Sequence, residues 1–329
     1  MSDTDRPSIS GLGLGAAAVG NLYRAISDED AGQVLDAAKH CGVRYIDTAP
    51  HYGAGLSEQR IGAFLSSQSI PFALSTKVGR VLRPAASADE SGEGFVDIPL
   101  FRSEFDYTTG GIRAAFAGSC ERLGVDRVEA LFLHDIGALV HGSKHPAVLE
   151  LALAESLPTM EAMKAEGEAR FIGLGVNEIE VCRDVLAAFP LDLILLAGRY
   201  TLFEHSDALC FMAEMAEAGV GIVIGGPFNS GLLVQSDMSA LRYNYQAAPA
   251  WAIERVEALR AVCDAFSVSL PAAALAFAGA HPAVKAVIPG AQTAHQMREI
   301  VAWQGEAIPP QFWTELQEHG LIDRDAPTP

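Results

Sequence analysis

The sequence predicts a single (β/α)8 TIM barrel over residues 1–329, with long βα loops on its C-terminal face. Eight short apolar runs alternate with amphipathic helices along the chain. Runs that are apolar throughout are typical of parallel strands in a sheet that is covered on both faces. No linker divides the chain, and barrels of this class commonly exceed about 250 residues as one domain.

The elements follow in chain order. Residues 9–15 alternate glycine with leucine, as a tightly packed first strand would. Ser27 caps the first helix, which has acidic residues in its first turn and ends at Gly42. Strand two ends at Asp47, and the next helix opens near residue 56. We expect further strands at 72–77, 128–134, 171–175, 193–197, 221–225 and 284–289, and further helices at 110–123, 157–165, 178–188, 206–218, 251–280 in two pieces, 293–303 and after Pro310.

Three long polar or Gly/Pro-rich stretches each follow a strand and precede a helix: residues 79–109, 135–156 and 226–250. They therefore belong at the C-terminal ends of the strands, where parallel α/β folds carry their chemistry. Loops of this length inside a compact domain usually serve function, here as lids and pocket walls.

Composition restricts the partners. The formal net charge of −18 repels nucleic acid and anionic membrane surfaces, so we expect neither as a partner. No apolar run approaches the ~18 residues that span a bilayer, and the polar N-terminus is unlike a secretory signal. The five cysteines occur singly without metal-ligand spacing, which predicts small core residues in a reducing compartment. We expect a cytoplasmic monomer or small homo-oligomer without a metal.

Four polar residues follow three strands that are neighbours in the predicted barrel: Asp47, Tyr52, Lys77 and His134. Each by itself has a structural interpretation, such as a turn cap or a rim charge, but together they predict one pocket. A lysine beside a tyrosine lowers the tyrosine pKa from its usual ~10, and an aspartate keeps that lysine charged. The histidine can hold a substrate oxygen. The cluster suits proton transfer at a carbonyl or alcohol, and a redox reaction would need a cofactor to carry the hydride.

This order of residues resembles the catalytic tetrad of the aldo-keto reductases, nicotinamide-dependent oxidoreductases with a (β/α)8 barrel. The resemblance covers nearly the whole chain, and its motifs lie at residues 13–15, 47–53, 75–77 and 288–291. Residues 20–24, 131–135, 197–201, 229–233 and 325–329 are similar to the branch that contains D-threo-aldose 1-dehydrogenases (L-fucose dehydrogenases), L-galactose dehydrogenases and pyridoxal 4-dehydrogenases. The resemblance implies oxidation of the anomeric hydroxyl of an aldose to a lactone.

The resemblance also implies cofactor residues after strands five, seven and eight. Asn177 matches a residue that holds the nicotinamide carboxamide, although in an altered register, and Phe228 stands in for a stacking aromatic. The expected glutamine of strand six falls on Ala197. The other implied cofactor residues are Asn229, Ser230, Leu232, Pro289, Gly290, Ala291, Gln292, Gln296 and Glu299.

Two of these positions bear on the choice between NAD and NADP. Members that prefer NADP place a lysine and an arginine where this chain has Gly290 and Gln296. Backbone N–H groups at the start of the helix from Thr293 can still bind a phosphate without side-chain charge. We therefore favour NAD as the cofactor. NADP is the alternative if the Arg298 side chain contacts the 2′-phosphate in place of the missing arginine.

The substrate pocket can only be outlined. Polar residues just beyond strand ends that could contact sugar hydroxyls are Asn21, Tyr23, Arg24, His51, Asp135 and Tyr200. Phe95, Phe101 and Tyr107 could cover them from the first long loop. Two alternatives to an aldose dehydrogenase remain. The small-molecule substrate could be pyridoxal, or the protein could be a non-catalytic nucleotide-binding regulatory subunit, an alternative that the intact tetrad disfavours. His141 and His145 have metal-ligand spacing but no third ligand, which predicts a mobile surface loop.

Overall fold

The computed structural model describes residues 8–86, 94–235, 242–243 and 246–329. Its centre is a ring of parallel strands that matches the predicted (β/α)8 barrel. The ring strands are β1 (Gly11–Leu12), β2 (Leu14–Gly15), β3 (Tyr45–Asp47), β4 (Ala73–Val78), β7 (Val128–His134), β8 (Ala169–Val176), β9 (Leu193–Ala197), β10 (Gly221–Gly225) and β13 (Val284–Ile288). Two hairpins supply β5 (Arg80–Pro84) with β6 (Phe101–Phe105), and β11 (Arg242–Tyr243) with β12 (Gln246–Ala247).

Helices surround this ring and follow its strands. They are α1 (Asp28–His40), α2 (Leu56–Leu65), α3 (Thr109–Leu123), α4 (Ala138–His141), α5 (His145–Leu151), α6 (Leu157–Glu166), α7 (Glu180–Leu186), α8 (Leu209–Ala218), α9 (Ala250–Phe266), α10 (Leu270–Ala280), α11 (Ala294–Gln304) and α12 (Pro310–Glu318). The predicted cap of the first helix is confirmed, because the Ser27 side chain accepts a hydrogen bond from the Asp30 amide.

The first predicted strand is interrupted at Gly13 and serves both edges of the ring. β1 pairs with β13, and β2 pairs with β3, so this short segment closes the barrel. A side chain at Gly15 would come within 2.8 Å of the Ile288 carbonyl oxygen. The glycines of this segment therefore let the last strand approach the first.

The three long stretches contain more regular structure than the sequence predicts. Residues 79–109 carry the β5–β6 hairpin, and residues 135–156 are mostly helical, including α4, α5 and a π-helical turn at Ala152–Ser156. Residues 226–250 carry the β11–β12 hairpin. Residues 87–93, 236–241 and 244–245 of these stretches lie outside the described residues. The prediction of a surface loop at His141 and His145 is wrong, because His141 ends α4 and His145 opens α5.

The core has an inner part within the ring and an outer part between the ring and the helices. Tyr45, Phe132 and Val223 belong to the inner part. Cys182 and Cys263 are buried as predicted, but Cys210 is exposed, which corrects the prediction for that residue, because it lies on the outer face of α8. Within the described residues, no single helix is both long and apolar enough to cross a bilayer. Taken together, α9 and α10 reach that length and composition, but they meet at a bend of 100°.

Candidate active site

An aspartate and a lysine form a buried ion pair at the ends of two neighbouring strands. Lys77 Nζ lies 2.7 Å from Asp47 Oδ2, and each side chain is 2% exposed. The lysine donates a second hydrogen bond of 2.8 Å to the Thr48 carbonyl, and Ser75 donates to Asp47 Oδ1 at 2.7 Å. Because β3 and β4 pair in register through Asp47 and Ser75, both charged groups are fixed at the C-terminal end of the ring.

Tyr52 lies on the turn that follows β3 and covers the lysine. Its ring centroid is 4.5 Å from Lys77 Nζ. The turn continues through Gly53, whose φ of 64° favours glycine. Phe95 stacks on the tyrosine ring at a centroid distance of 6.1 Å, and the edge of His134 meets it at 6.3 Å. The structure thus brings the four predicted catalytic residues together.

Burial and the ion pair set the protonation of these groups. Burial lowers the pKa of Lys77, but Asp47 and Tyr52 together raise it to about 12, so the lysine stays charged. Burial raises the pKa of Asp47 against the opposing effect of Lys77. For Tyr52, burial raises the pKa by more than the lysine lowers it. The sequence predicts a lowered tyrosine pKa, and this direction is wrong because burial dominates.

His134 ends β7 as a buried, neutral imidazole. Burial lowers its pKa well below the usual value, and the cations of Arg80 and Lys77 and the ring of His51 add to this effect. Its Nε2 lies 3.4 Å from Asp135 Oδ2. Its Nδ1 is buried without a hydrogen-bond partner among the residues that the structure describes. A neutral imidazole here is suited to hold an oxygen atom of a ligand.

Arg80 belongs to the site, although no sequence pattern indicated it. It opens β5, is 4% exposed, and its Nη2 lies 2.7 Å from Asp135 Oδ2. Its Nη1 lies 3.5 Å from His51 Nδ1, and its guanidinium carbon is 4.2 Å from the centre of the Phe105 ring. The available signal was its position three residues beyond Lys77, where the chain leaves the same strand end.

Two predicted substrate residues, His51 and Asp135, lie in this cluster. Tyr23 is 47% exposed and adjoins the segment of Phe95, because its amide donates to the Gly94 carbonyl at 2.8 Å. Arg24 is exposed on the surface.

Two further predicted substrate residues have structural contacts instead. Asn21 is buried; its amide oxygen accepts from Arg60 at 2.8 Å and its Nδ2 donates to the Asp97 carbonyl at 3.1 Å. Tyr200 is fully buried and stacks on Phe277 at 5.4 Å, away from the cluster. Their placement corrects the prediction, because a polar residue near a strand end can turn toward the protein interior as readily as toward the barrel mouth.

The predicted cofactor residues after β8 and β10 differ in what they offer. Asn177 is partly buried and donates to the Ala197 carbonyl at 3.1 Å. Asn229 and Ser230 have φ values of 47° and 58°, and Asn229 Oδ1 is a buried acceptor that has no partner within the described part of the chain. The ring of Phe228 lies 6.1 Å from that of Trp303 on α11, in an edge-to-face contact, and its role as a stacking aromatic stays a prediction.

The segment after β13 leads into the N-terminus of α11. The Pro289 carbonyl accepts from Gly15 N at 3.0 Å, which places this segment beside the first strand. Thr293 caps α11 by accepting from Gln296 N, and the Gln296 side chain accepts from Gln292 N at 2.8 Å. Backbone donors at a helix N-terminus together with the buried acceptor of Asn229 fit a dinucleotide.

The pair of histidines with metal-ligand spacing contacts the backbone. His141 Nε2 lies 2.8 Å from the Asp135 carbonyl oxygen, and His145 Nδ1 lies 3.0 Å from that of Ile136. Among the described residues, no group of three or more His, Cys, Asp or Glu side chains is arranged to hold a metal ion.

Known proteins resemble this chain over almost its full length. The model of the aldo/keto reductase family matches residues 11–320. D-threo-aldose 1-dehydrogenase of a Pseudomonas species is 42% identical over 98% of this chain and 96% of its own. Pyridoxal 4-dehydrogenase of Microbacterium luteolum is 36% identical over 96% and 95%, and L-galactose dehydrogenase of Arabidopsis thaliana is 26% identical over 89% and 84%.

Solved structures agree with the fold. An aldo-keto reductase from Bacillus halodurans in its holo form superimposes with a TM-score of 0.72 at 22% identity, over 93% of this chain and 91% of its own. A glycerol dehydrogenase from Gluconobacter oxydans gives 0.71 at 19% identity, over 99% and 98%. With the tetrad geometry, these matches show that the chain belongs to the aldo/keto reductase family of nicotinamide-dependent oxidoreductases.

Proposed function

We propose that this protein is an aldose 1-dehydrogenase, which oxidises the anomeric hydroxyl of an L-fucose, L-galactose or D-arabinose type sugar to the lactone. The observation that carries the proposal is the convergence of Tyr52, the Lys77–Asp47 pair and a neutral His134 beside a polar pair, Arg80 and Asp135. The 42% identity to a D-threo-aldose 1-dehydrogenase supports it.

Each member of the tetrad has one task in this proposal. His134 holds the anomeric hydroxyl oxygen, and Tyr52 accepts the hydroxyl proton as that oxygen becomes a carbonyl. Lys77, charged because Asp47 lies 2.7 Å away, stabilises the phenolate that must accept the proton. A bound oxidised nicotinamide would supply the acceptor for the hydride that leaves the anomeric carbon. The C–H and O–H bonds break and the carbonyl forms, so the cyclic hemiacetal becomes a lactone.

We propose NAD as the preferred cofactor. Gln292, Gln296 and Asn229 would hold it with the amides that open α11, and Glu299 lies one turn further along the helix. Gly290 and Gln296 supply no positive charge for a 2′-phosphate, and the Gln296 side chain already accepts from Gln292 N at 2.8 Å. Arg298 is exposed on the helix surface.

A second candidate is a pyridoxal 4-dehydrogenase, which would use the same tetrad on the hemiacetal of pyridoxal. The stacked rings of Tyr52 and Phe95, with His51 edge-on to Phe95 at 5.3 Å, are an aromatic wall that suits a pyridine ring. The 36% identity to a pyridoxal 4-dehydrogenase supports this candidate.

The appearance of reduced nicotinamide, followed by its near-UV absorbance, separates the candidates. The assay supplies NAD and NADP separately, with L-fucose, L-galactose, D-arabinose and pyridoxal as substrates. We expect turnover with at least one sugar and with NAD in preference to NADP. Turnover with pyridoxal alone would replace the aldose proposal with the second candidate, and binding of nicotinamide without any turnover would indicate a regulatory subunit.

A further inference from the structure

The Arg80–Asp135 ion pair lies at the point where the tetrad meets the barrel mouth. The arginine and aspartate side chains are only 5% and 13% exposed, and 2.7 Å separates Nη2 from Oδ2. The same Oδ2 atom lies 3.4 Å from His134 Nε2. A carboxylate therefore stands directly beside Nε2 of His134, the residue that holds the reacting oxygen in the proposed function, and we take Nε2 as the nitrogen that does so.

The backbone of Asp135 is left-handed, with a φ of 52°, a conformation that Asp adopts more readily than most residues other than glycine. The Tyr107 hydroxyl lies 2.9 and 2.8 Å from the carbonyl oxygens of His134 and Asp135, so its one proton is shared between them, and the Asp135 amide donates to the Gly175 carbonyl. These contacts fix the turn that carries the Asp135 carboxylate beside His134.

Stability alone does not account for the pair. Buried ion pairs are often no more stable than apolar residues of similar volume, because both charges lose their hydration. The guanidinium also stacks on Phe105 and contacts His51, so its position is determined from three sides. A charged pair held in place beside the tetrad is the kind of group that selects a substrate.

The chemistry of a cyclic aldose decides which substrate atom this pair contacts. The reacting hydroxyl has two neighbouring oxygens, the hydroxyl on carbon 2 and the ring oxygen. An ionised carboxylate only accepts hydrogen bonds, and the ring oxygen has no proton to donate. A sugar whose anomeric oxygen lies on His134 Nε2 can therefore turn only its 2-hydroxyl toward Asp135.

We propose that Asp135 and Arg80 form the binding subsite for the 2-hydroxyl of the aldose, which donates a hydrogen bond to the carboxylate and accepts one from the guanidinium. The subsite rests on the aldose function proposed above. It selects sugars that carry a hydroxyl next to the reacting carbon, and it sets which face of the ring the anomeric hydrogen presents. Asp135 Oδ2 lies closer to Arg80 Nη2, at 2.7 Å, than to His134 Nε2, at 3.4 Å, so its strong hydrogen bond is to the arginine.

The test compares D-arabinose with 2-deoxy-D-ribose, which is D-arabinose without its 2-hydroxyl, as substrates of the full-length protein with NAD. Leaving a polar subsite unpaired rejects an analogue by large factors, so we expect kcat/KM to fall by at least about 100-fold for the deoxy sugar. Asp135→Asn should reduce this discrimination to about tenfold or less, mainly through lower kcat/KM for D-arabinose. Asparagine is chosen because it tolerates a left-handed backbone.

Asp192→Asn is the matched control. Asp192 also forms an ion pair of 2.7 Å, with Lys164, but it precedes β9 at the opposite end of the barrel. We expect it to keep the wild-type discrimination. Circular dichroism checks folding, and if Asp135→Asn does not fold, Arg80→Lys replaces it, because a lysine keeps the charge but cannot reproduce the guanidinium contacts.

The outcomes separate the subsite from the proposed function. Equal oxidation of D-arabinose and 2-deoxy-D-ribose by the wild type would overturn the subsite and leave the aldose function standing. The same conclusion would follow if Asp135→Asn, or Arg80→Lys in its place, discriminated between the two sugars as strongly as the control Asp192→Asn. If the wild type oxidises pyridoxal and no sugar, the aldose function is overturned and the subsite with it.

Discussion

Burial and neighbouring charges together set the protonation of Tyr52, Lys77 and His134. The lysine remains protonated because Asp47 and Tyr52 raise its pKa to about 12 against the effect of burial. The histidine is neutral because burial and nearby cations lower its pKa. The tyrosine is a protonated acid in the folded protein because burial raises its pKa. In the reductive direction Tyr52 is thus ready to donate, and in the oxidative direction it must first lose its proton.

Tyr52→Phe removes the proton-transferring hydroxyl while retaining the ring above Lys77. General acid–base groups contribute about 10²- to 10⁴-fold to rate, so we expect a loss of kcat in that range with unchanged nicotinamide affinity. Rate measurements and fluorescence titration of the cofactor check this. Tyr200→Phe is the matched control, since its hydroxyl has no partner among the described residues and activity should be retained. A Tyr52→Phe variant with full turnover would remove the tyrosine from the mechanism.

The pH profile of the oxidative reaction follows from the same pKa directions. A proton acceptor whose pKa lies above its usual ~10 is used more as pH rises, so kcat/KM should increase up to at least about pH 10. His134, whose pKa is lowered, should add no inflection near its usual value of ~6.5. Lys77→Met removes the cation that favours the phenolate, so the rise should move to higher pH. A plateau near neutral pH in the wild type would contradict these directions.

At the level of single residues, the sequence predicted the tetrad because polar side chains at successive ends of neighbouring strands must converge. The same criterion selected Asn21 and Tyr200, and there it was wrong. Strand position does not specify whether a side chain turns toward the mouth or, as in Tyr200, onto Phe277. Arg80 was not predicted as a site residue. Its place in the site depends on its contact with Asp135, which is 55 residues away in the chain and forms only on folding.

Among the elements, the first strand shows how glycine permits closure of the ring. A Cβ at Gly15 would come within 2.8 Å of the Ile288 carbonyl oxygen, so Gly15→Ala should destabilise the fold by about 1–3 kcal/mol. Gly32→Ala on α1 has open space and should stabilise by about 0.5–1 kcal/mol. Denaturant unfolding of the two variants measures both effects. Equal effects of the two substitutions would show that close approach at Gly15 does not limit closure.

The N-terminus of α11 should control the choice of cofactor. Gln296→Arg adds a guanidinium where NADP binding lacks one, and a charge-assisted hydrogen bond of about 1.5–3 kcal/mol corresponds to an increase of about 10- to 100-fold in NADP preference. The ratio of kcat/KM for NADP and NAD measures it. Arg298→Gln is the comparison and should leave the ratio unchanged, because Arg298 is exposed on the helix. A fall in NADP use on that change would mean that Arg298 grips the phosphate.

The strands and the outer helices could be predicted because apolar runs and caps such as Ser27 are local signals. The helices within residues 135–156 could not. No residue of α4 or α5 is fully buried, and Val148, Leu149 and Leu151 of α5 are only partly buried against the core, so the apolar pattern that marks a helix in sequence is weak here. Their helical state depends on contacts such as that of the Leu139 amide with Glu178 at 3.1 Å, which only the folded chain supplies.

For the whole molecule, the ring of parallel strands explains why one rim holds all the chemistry. Parallel strands place their C-terminal ends together, so residues from β3, β4 and β7 meet although the chain separates them widely. The protein carries a net charge of −18, and at this rim its buried cations Lys77 and Arg80 are each paired with a carboxylate, Asp47 and Asp135.

In the proposed function, this rim oxidises a hemiacetal to a lactone. The stoichiometry of the reaction tests this, with reduced nicotinamide followed by absorbance and the sugar product identified by NMR, for D-arabinose and L-fucose. We predict equimolar reduced nicotinamide and lactone, abolished together in Tyr52→Phe. Nicotinamide reduction without lactone, or no reduction with either sugar, would contradict the account.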